Sequence, residues 1–174
     1  MSRRVWEEYN EGGNTIPKAY FWGETSGRVK ASELNPESLG EKLGQGENIL
    51  FVLGSEVGLY PEGILKEMIE NTDATVYKTE ATGTKNVDVE ADARYGLMEI
   101  VDRLCNELGT SYKYIILAGI PYHIESRVLA GLRSYGVETV VTFNWRHQQY
   151  ADISFNNLNQ KQWKKSLKTI AKQL

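Results

Sequence analysis

Apolar residues along the chain form short continuous runs. Between these runs lie stretches in which apolar residues recur every three or four positions, as in an amphipathic helix. Runs at residues 49–53, 74–79, 112–119 and 137–143 predict four β-strands. The first run, "ILFVL", contains no polar residue, which is typical of a strand covered on both faces in a parallel sheet. Gly54 follows it, and we expect this glycine to adopt positive-φ backbone angles that a Cβ would forbid.

The segments around these strands have the spacing of amphipathic helices. Asn35 and Asn159 are suitable N-caps for a first and a last helix, and Pro61 introduces another. The clearest apolar stripe consists of Leu97, Ile100, Val101, Leu104, Cys105 and Leu108. Strands that alternate with helices predict a doubly wound, largely parallel α/β sheet with right-handed crossovers and helices on both faces.

Residues 1–34 differ from the rest of the chain. They show no clear helical or strand period, yet they are too aromatic for a disordered tail, with Trp6, Tyr20, Phe21 and Trp22 among them. We therefore expect an irregular arm at residues 1–34 that packs on its own domain or on a partner. A single α/β domain is expected at residues 35–174.

The loops after the predicted strands carry the candidate binding residues, because ligands of such folds bind beyond the carboxyl ends of the strands. The candidates offer glycine N–H groups, hydroxyls and a guanidinium to phosphates; they are Gly54, Ser55, Glu56, Thr82, Gly83, Gly119, Asn144 and Arg146. The three-glycine dinucleotide motif and the phosphate-binding P-loop are both absent. The alternative is that these loops are ordinary turns with polar residues facing water.

Composition narrows the possible chemistry. The chain of 174 residues has 20 basic and 23 acidic residues and a formal charge of −3, without a basic stretch, so nucleic acid is not an expected partner. No apolar run has the length of a membrane span, and we expect a cytoplasmic protein with no membrane association.

Cysteine and histidine ligands for metals are scarce, and carboxylate sites for magnesium or calcium are the alternative, although the sequence contains no EF-hand or Walker pattern. One cysteine, Cys105, and two histidines, His123 and His147, cannot build a four-thiolate iron–sulfur site or a structural zinc site. Cys105 lies in the helical stripe and is expected in the core. His123 is expected at a strand-to-helix corner, as a surface residue at the helix start; the alternative is that it contacts a ligand. No catalytic constellation is present, so we predict neither catalytic nor metal-binding residues.

The order of several motifs resembles the epsilon subunit of the archaeal carbon monoxide dehydrogenase/acetyl-CoA decarbonylase-synthase complex. The motifs are "ILFVLGSEVG" followed by "PEGILKEMIE", a threonine-rich loop with Gly83, "YIILAGIPY", and the ending "ADISFNNLNQKQWKKSLKTIAKQL". The resemblance covers about residues 35–174.

This resemblance implies a Rossmann-like fold similar to that of FAD- and NAD-binding domains. It also implies a small accessory chain bound to the metal-bearing alpha subunit, as two alpha and two epsilon chains, with self-association expected. The alpha subunit oxidises CO to CO2 at a nickel–iron–sulfur cluster, and the accessory chain stabilises the complex or assists electron transfer to FAD. We expect no tightly bound cofactor, with FAD as the one candidate. The alternative is a flavin- or nucleotide-binding redox protein that acts without the metal subunit.

Overall fold

The described part of the fold consists of strands and helices that alternate along the chain. The computed structural model describes residues 21–23, 27–29, 31–82, 88–108, 111–135, 137 and 139–174. The strands are β1 (Phe21–Gly23), β2 (Gly27–Val29), β3 (Ser32–Glu33), β4 (Ile49–Leu53), β5 (Thr75–Thr79), β6 (Ala93–Tyr95), β7 (Tyr114–Ala118), β8 (Thr139–Thr142) and β9 (Ile153–Ser154). The helices are α1 (Pro36–Gly44), α2 (Ile64–Thr72), α3 (Leu97–Arg103), α4 (Tyr122–Ser134) and α5 (Gln160–Lys172).

Seven of the strands form one parallel sheet, in the order β3-β9-β8-β7-β4-β5-β6. All five residues of the central strand β4 are buried, and its Phe51 pairs with Val76 on one side and Ile116 on the other. A strand without polar residues therefore occupies the position where both faces are covered. The predicted parallel α/β sheet is confirmed.

Helices cover both faces of the sheet. On one face, α1, α2 and α5 pack on alternate strand residues such as Phe51, Ile116 and Val141. On the other face, α3 and α4 pack on the intervening residues, among them Leu50 and Ile115. This arrangement is the doubly wound one, with a separate apolar core on each side of the sheet.

The two predicted helix caps are confirmed. Asn35 Oδ1 accepts a hydrogen bond from Ser38 N (2.9 Å), and Asn159 Oδ1 accepts one from Gln162 N (2.9 Å). The second helix begins later than predicted, because a 3-10 turn at Val57–Leu59 and Gly63, with φ of 73°, precede Ile64. Helix α3 continues into a π-helical turn at Leu104–Leu108.

Short strands are the main difference from the sequence prediction. Strands β6 and β9 lie in segments predicted as polar loops, and β3 lies before Asn35, the predicted start of the domain. Strand β3 pairs with β9, and its neighbours Ala31 and Leu34 are buried. Strands β1 and β2 form a separate antiparallel pair within the segment predicted to be irregular. Elements of two or three residues are too short to show a period in sequence.

Candidate functional site

The strand order places a topological switch point between β4 and β7. From β4 the chain adds strands outward through β5 and β6, and it then returns to β7 and continues through β8 and β9. Folds of this kind bind ligands in the crevice beyond the carboxyl ends of the two strands at the switch point. The residues directly after these strands are Gly54 and Gly119, both predicted as binding residues.

Gly54 and Gly119 lie in direct contact at this switch point. A Cβ on Gly54 would lie 2.4 Å from the Gly119 carbonyl oxygen, and a Cβ on Gly119 would lie 2.5 Å from Val57 N. The Gly119 oxygen also accepts a hydrogen bond from Glu56 N (2.7 Å). Positive φ occurs at Gly119 (73°) and not at Gly54, so that expectation for Gly54 is wrong. Close packing of two backbones explains the glycine at position 54.

Four of the predicted residues line a small pocket of about 230 Å³ beside this contact. They are Glu56, Gly119, Asn144 and Arg146, from the loops that follow β4, β7 and β8. The Arg146 guanidinium lies 5.5 Å from the ring centroid of Tyr122, which also lines the pocket. The predicted convergence of these three loops therefore occurs.

The other predicted residues have different positions. Gly54 is buried beneath the loop contact, and Ser55 is exposed next to it. Thr82 is buried, and its hydroxyl donates to the Leu53 carbonyl oxygen (2.5 Å), which ties the loop after β5 to the end of β4. Thr82 is thus engaged within the protein. Gly83 lies outside the described residues.

Aromatic side chains form one side of the small pocket. Tyr60 donates its hydroxyl hydrogen to the Phe143 carbonyl oxygen (3.3 Å) and accepts a hydrogen bond from Gly119 N (3.0 Å). Burial raises the pKa of Tyr60 far above its ordinary value, and the nearby Glu125 carboxylate raises it further. The Tyr60 ring meets the buried Trp163 edge-on, with centroids 4.8 Å apart. The neutral Tyr60 hydroxyl therefore links the residues that directly follow β7 and β8, through its hydrogen bonds with Gly119 and Phe143.

A buried carboxylate, which the sequence analysis missed, holds the loop after β8. Glu125, in the first turn of α4, is 1% exposed and accepts hydrogen bonds from Thr142 Oγ1 (2.6 Å), Asn144 Nδ2 (2.9 Å) and Gln148 Nε2 (3.0 Å). Burial raises the pKa of Glu125 to about 7, although these three hydrogen bonds act in the opposite direction. Asn144 in turn accepts a hydrogen bond from Arg146 N (3.1 Å), so Glu125 positions the loop that carries Arg146.

The two histidines and the cysteine contribute little to the small pocket. His123 is exposed at the rim of the small pocket, at the start of α4 as expected. His147 is buried, and its Nδ1 lies 3.3 Å from the Phe155 carbonyl oxygen. Cys105 packs against the core of the α3–α4 face but is only partly buried, and burial raises its pKa, which disfavours the reactive thiolate.

A second and larger cavity lies on the α2 face of the sheet, between the loop after β4 and the connection from β5 to β6. This cleft has a volume of about 790 Å³. Its charged lining consists of Lys66, Lys78 and Arg94 with Glu62, Asp88 and Glu90. None of these six residues is among the binding residues predicted from the sequence.

The described residues contain no group of three or more His, Cys, Asp and Glu side chains that could hold a metal ion. Within the same residues, no helix has both the length and the apolar character needed to cross a bilayer. The loops after β4, β7 and β8 present backbone groups and polar side chains that can contact a small molecule or a partner at the carboxyl edge of the sheet.

Comparison with known proteins gives one family. A family model described as "CO dehydrogenase beta subunit/acetyl-CoA synthase epsilon subunit" matches residues 77–173, which is more than half of the chain. This segment contains Lys78 and Arg94 of the cleft, the Glu125 network and the loop with Arg146. Curated protein sequences give no match. The chain belongs to the family of CO dehydrogenase beta subunits and acetyl-CoA synthase epsilon subunits.

Proposed function

We propose that this chain is the accessory epsilon subunit of the CO dehydrogenase component in an archaeal acetyl-CoA decarbonylase/synthase complex. In this role it binds the metal-bearing alpha subunit, with two copies of each chain, and stabilises that assembly while the alpha subunit oxidises CO to CO2. The observation that carries the proposal is the family match over residues 77–173.

The ligand inventory of the chain supports an accessory role. CO oxidation of this kind needs a nickel–iron–sulfur cluster, and protein clusters are held mainly by several cysteine thiolates. This chain has one cysteine and two histidines in 174 residues. The metal chemistry therefore belongs to a partner subunit.

Reconstitution with a catalytic alpha subunit tests the proposal. The two chains are mixed, and the assembly is measured by analytical ultracentrifugation together with its iron and nickel content. We expect a complex of two alpha and two epsilon chains, with CO oxidation that survives heating longer than that of alpha alone. The isolated chain should show no CO oxidation and no stoichiometric iron or nickel. Separate sedimentation of the two chains would contradict the proposal.

Assistance of electron transfer to FAD is the second candidate role. The strand order favours it, because dinucleotides bind at the switch point of such sheets. The absence of the three-glycine dinucleotide motif weakens it, because those glycines bring the backbone close to the pyrophosphate. We therefore propose no tightly bound cofactor for the chain alone.

Calorimetric titration of the isolated chain with FAD separates the two roles. We expect weak or undetectable binding. A dissociation constant of about 1 μM or below that Arg146→Ala raises would favour the redox role instead.

A further inference from the structure

Two cationic side chains stand next to each other on one wall of the 790 Å³ cleft. In the parallel pairing of β5 with β6, Lys78 is the direct partner of Arg94. Both side chains line the cleft and therefore leave the same face of the sheet. Two positive charges therefore lie side by side on this wall of the cleft, where one anion can contact both.

The environments of the two cations differ. Lys78 is 4% exposed and donates a hydrogen bond from Nζ to the Val89 carbonyl oxygen. Burial lowers the pKa of Lys78, and the positive charge of Arg94 lowers it further, while Asp88 acts in the opposite direction. Arg94 is exposed, and within the described residues its guanidinium has no hydrogen bond or ion pair. Arg94 is thus available to a ligand.

The remaining charges lie around the mouth of the cleft. Lys66 and Asp88 form an ion pair across it (3.0 Å), with side chains 42% and 99% exposed. Such an exposed pair is weak and can open for a ligand. Glu62 and Glu90 are exposed acceptors at the same mouth. Helix α2 begins here behind Gly63, which provides no side-chain cap, so the partial positive charge of its N-terminus adds to that of the cations.

We propose that this cleft binds a phosphorylated sugar, with the phosphate between Lys78 and Arg94 and the sugar hydroxyls directed to the carboxylates at the mouth. Two adjacent cations match a dianionic phosphate better than a single carboxylate, and the arginine fork suits its oxygens. The volume lies within the range of small-molecule sites. The phosphate position between Lys78 and Arg94 is distinct from the Gly54–Gly119 contact, and the proposal does not depend on the role in assembly. A free sugar phosphate and a mononucleotide share this chemistry.

Calorimetric titration of the full chain with ribose 5-phosphate, AMP and adenosine tests the proposal. We expect both phosphorylated probes to bind with dissociation constants below about 1 mM, and adenosine to give no measurable heat. Equal affinity of the two phosphorylated probes identifies a sugar-phosphate site, whereas tighter binding of AMP identifies a nucleotide site. Failure of both to bind up to about 10 mM, or equal binding of adenosine and AMP, overturns the proposal.

Variants locate the phosphate. Arg94→Gln removes an exposed cation without disturbing the core, and we expect it to weaken binding about 10-fold or more, because hydrogen bonds to charged groups are the strong ones. Arg133→Gln removes an exposed arginine at the end of α4, away from the cleft, and should leave the affinity unchanged. The proposal fails if Arg94→Gln binds like the native chain, or if both variants weaken binding equally.

Discussion

Gly54 and Gly131 are both glycines, but a methyl group would meet different surroundings at the two positions. At Gly54 the added Cβ would lie 2.4 Å from a backbone oxygen and 2.7 Å from a backbone carbon of Gly119. We expect Gly54→Ala to lower the free energy of unfolding by about 2–4 kcal/mol, because neither backbone can move without separating the central strands. Urea denaturation measures the loss.

Gly131→Ala is the matched control. Apart from its chain neighbours and the backbone of its own helix, no heavy atom lies within 4 Å of the Cβ that it adds, and the residue is inside α4. Alanine should raise the free energy of unfolding there by about 0.5–1 kcal/mol through its helix propensity. Equal stabilities of the two variants would contradict the steric explanation for Gly54.

Glu125 should make stability depend on pH near neutrality. Its pKa is about 7 in the folded protein and near 4.5 when unfolded, so between these values the folded state binds the proton and the unfolded state does not. Stability should therefore fall as the pH rises from about 4.5 to about 7, by up to about 3 kcal/mol, and this contribution should be constant above that range.

Comparison with Glu125→Gln isolates this effect. The variant lacks the titrating carboxyl, so its free energy of unfolding should fall less steeply between pH 5 and 7.5, as measured by urea denaturation at each pH. Glu56, whose charge also acts on the Glu125 carboxyl, is unchanged in the variant. Identical slopes for the two proteins would show that Glu125 does not titrate in this range.

At the scale of elements, α5 depends on a reciprocal pair of capping hydrogen bonds. Asn159 Oδ1 accepts from Gln162 N (2.9 Å), and Gln162 Oε1 accepts from Asn159 N (3.2 Å). Asn159→Ala should cost about 1 kcal/mol in thermal or urea denaturation, and Asn159→Asp should retain most of the stability.

Lys161→Ala provides the control in the same turn. Its side chain is exposed, so the change should stay within about 0.5 kcal/mol of the native stability. If Lys161→Ala lowered the free energy of unfolding as much as Asn159→Ala, any substitution in the first turn of α5 would be destabilising, and the capping hydrogen bonds would not explain the effect.

Elements were predictable from the sequence where the signal is local. The strand at residues 49–53 has an uninterrupted apolar run, and the caps at Asn35 and Asn159 depend on side chains next to the helices they begin. Strands β3 and β9 escaped prediction because two-residue strands have no period and depend on a distant partner.

The site was predictable only in part, for a related reason. The loops with Glu56, Gly119 and Arg146 were expected to converge, because the carboxyl ends of parallel strands lie at the same edge of the sheet. The neighbours Lys78 and Arg94 follow only from the register of β5 and β6, which the sequence does not show. Glu125 did leave a signal, since it lies three, four and seven residues before the buried Val128, Leu129 and Leu132.

At the scale of the whole molecule, the N-terminal segment is expected to contribute to assembly. Aromatic residues such as Trp6, Tyr20 and Trp22 are typical interface anchors, and most of this segment lies outside the described residues. Deletion of residues 1–30 leaves Ala31, Leu34 and β3 in place, so the domain should still fold. We expect it to associate more weakly, with itself and with the alpha subunit, by sedimentation velocity. Unchanged assembly would reject a role for the segment.

The pairing of β3 with β9 has a consequence for synthesis of the chain. Ser32 leaves the ribosome early, but its partner Ile153 follows about 120 residues later. At cellular rates of translation the first strand waits roughly 6–24 s for the strand on which it docks. During that time β3 has no partner strand, while the strands from β4 onward can already pair. Because β3 has only two residues, the nascent chain exposes few unpaired backbone N–H and C=O groups with which another chain could pair.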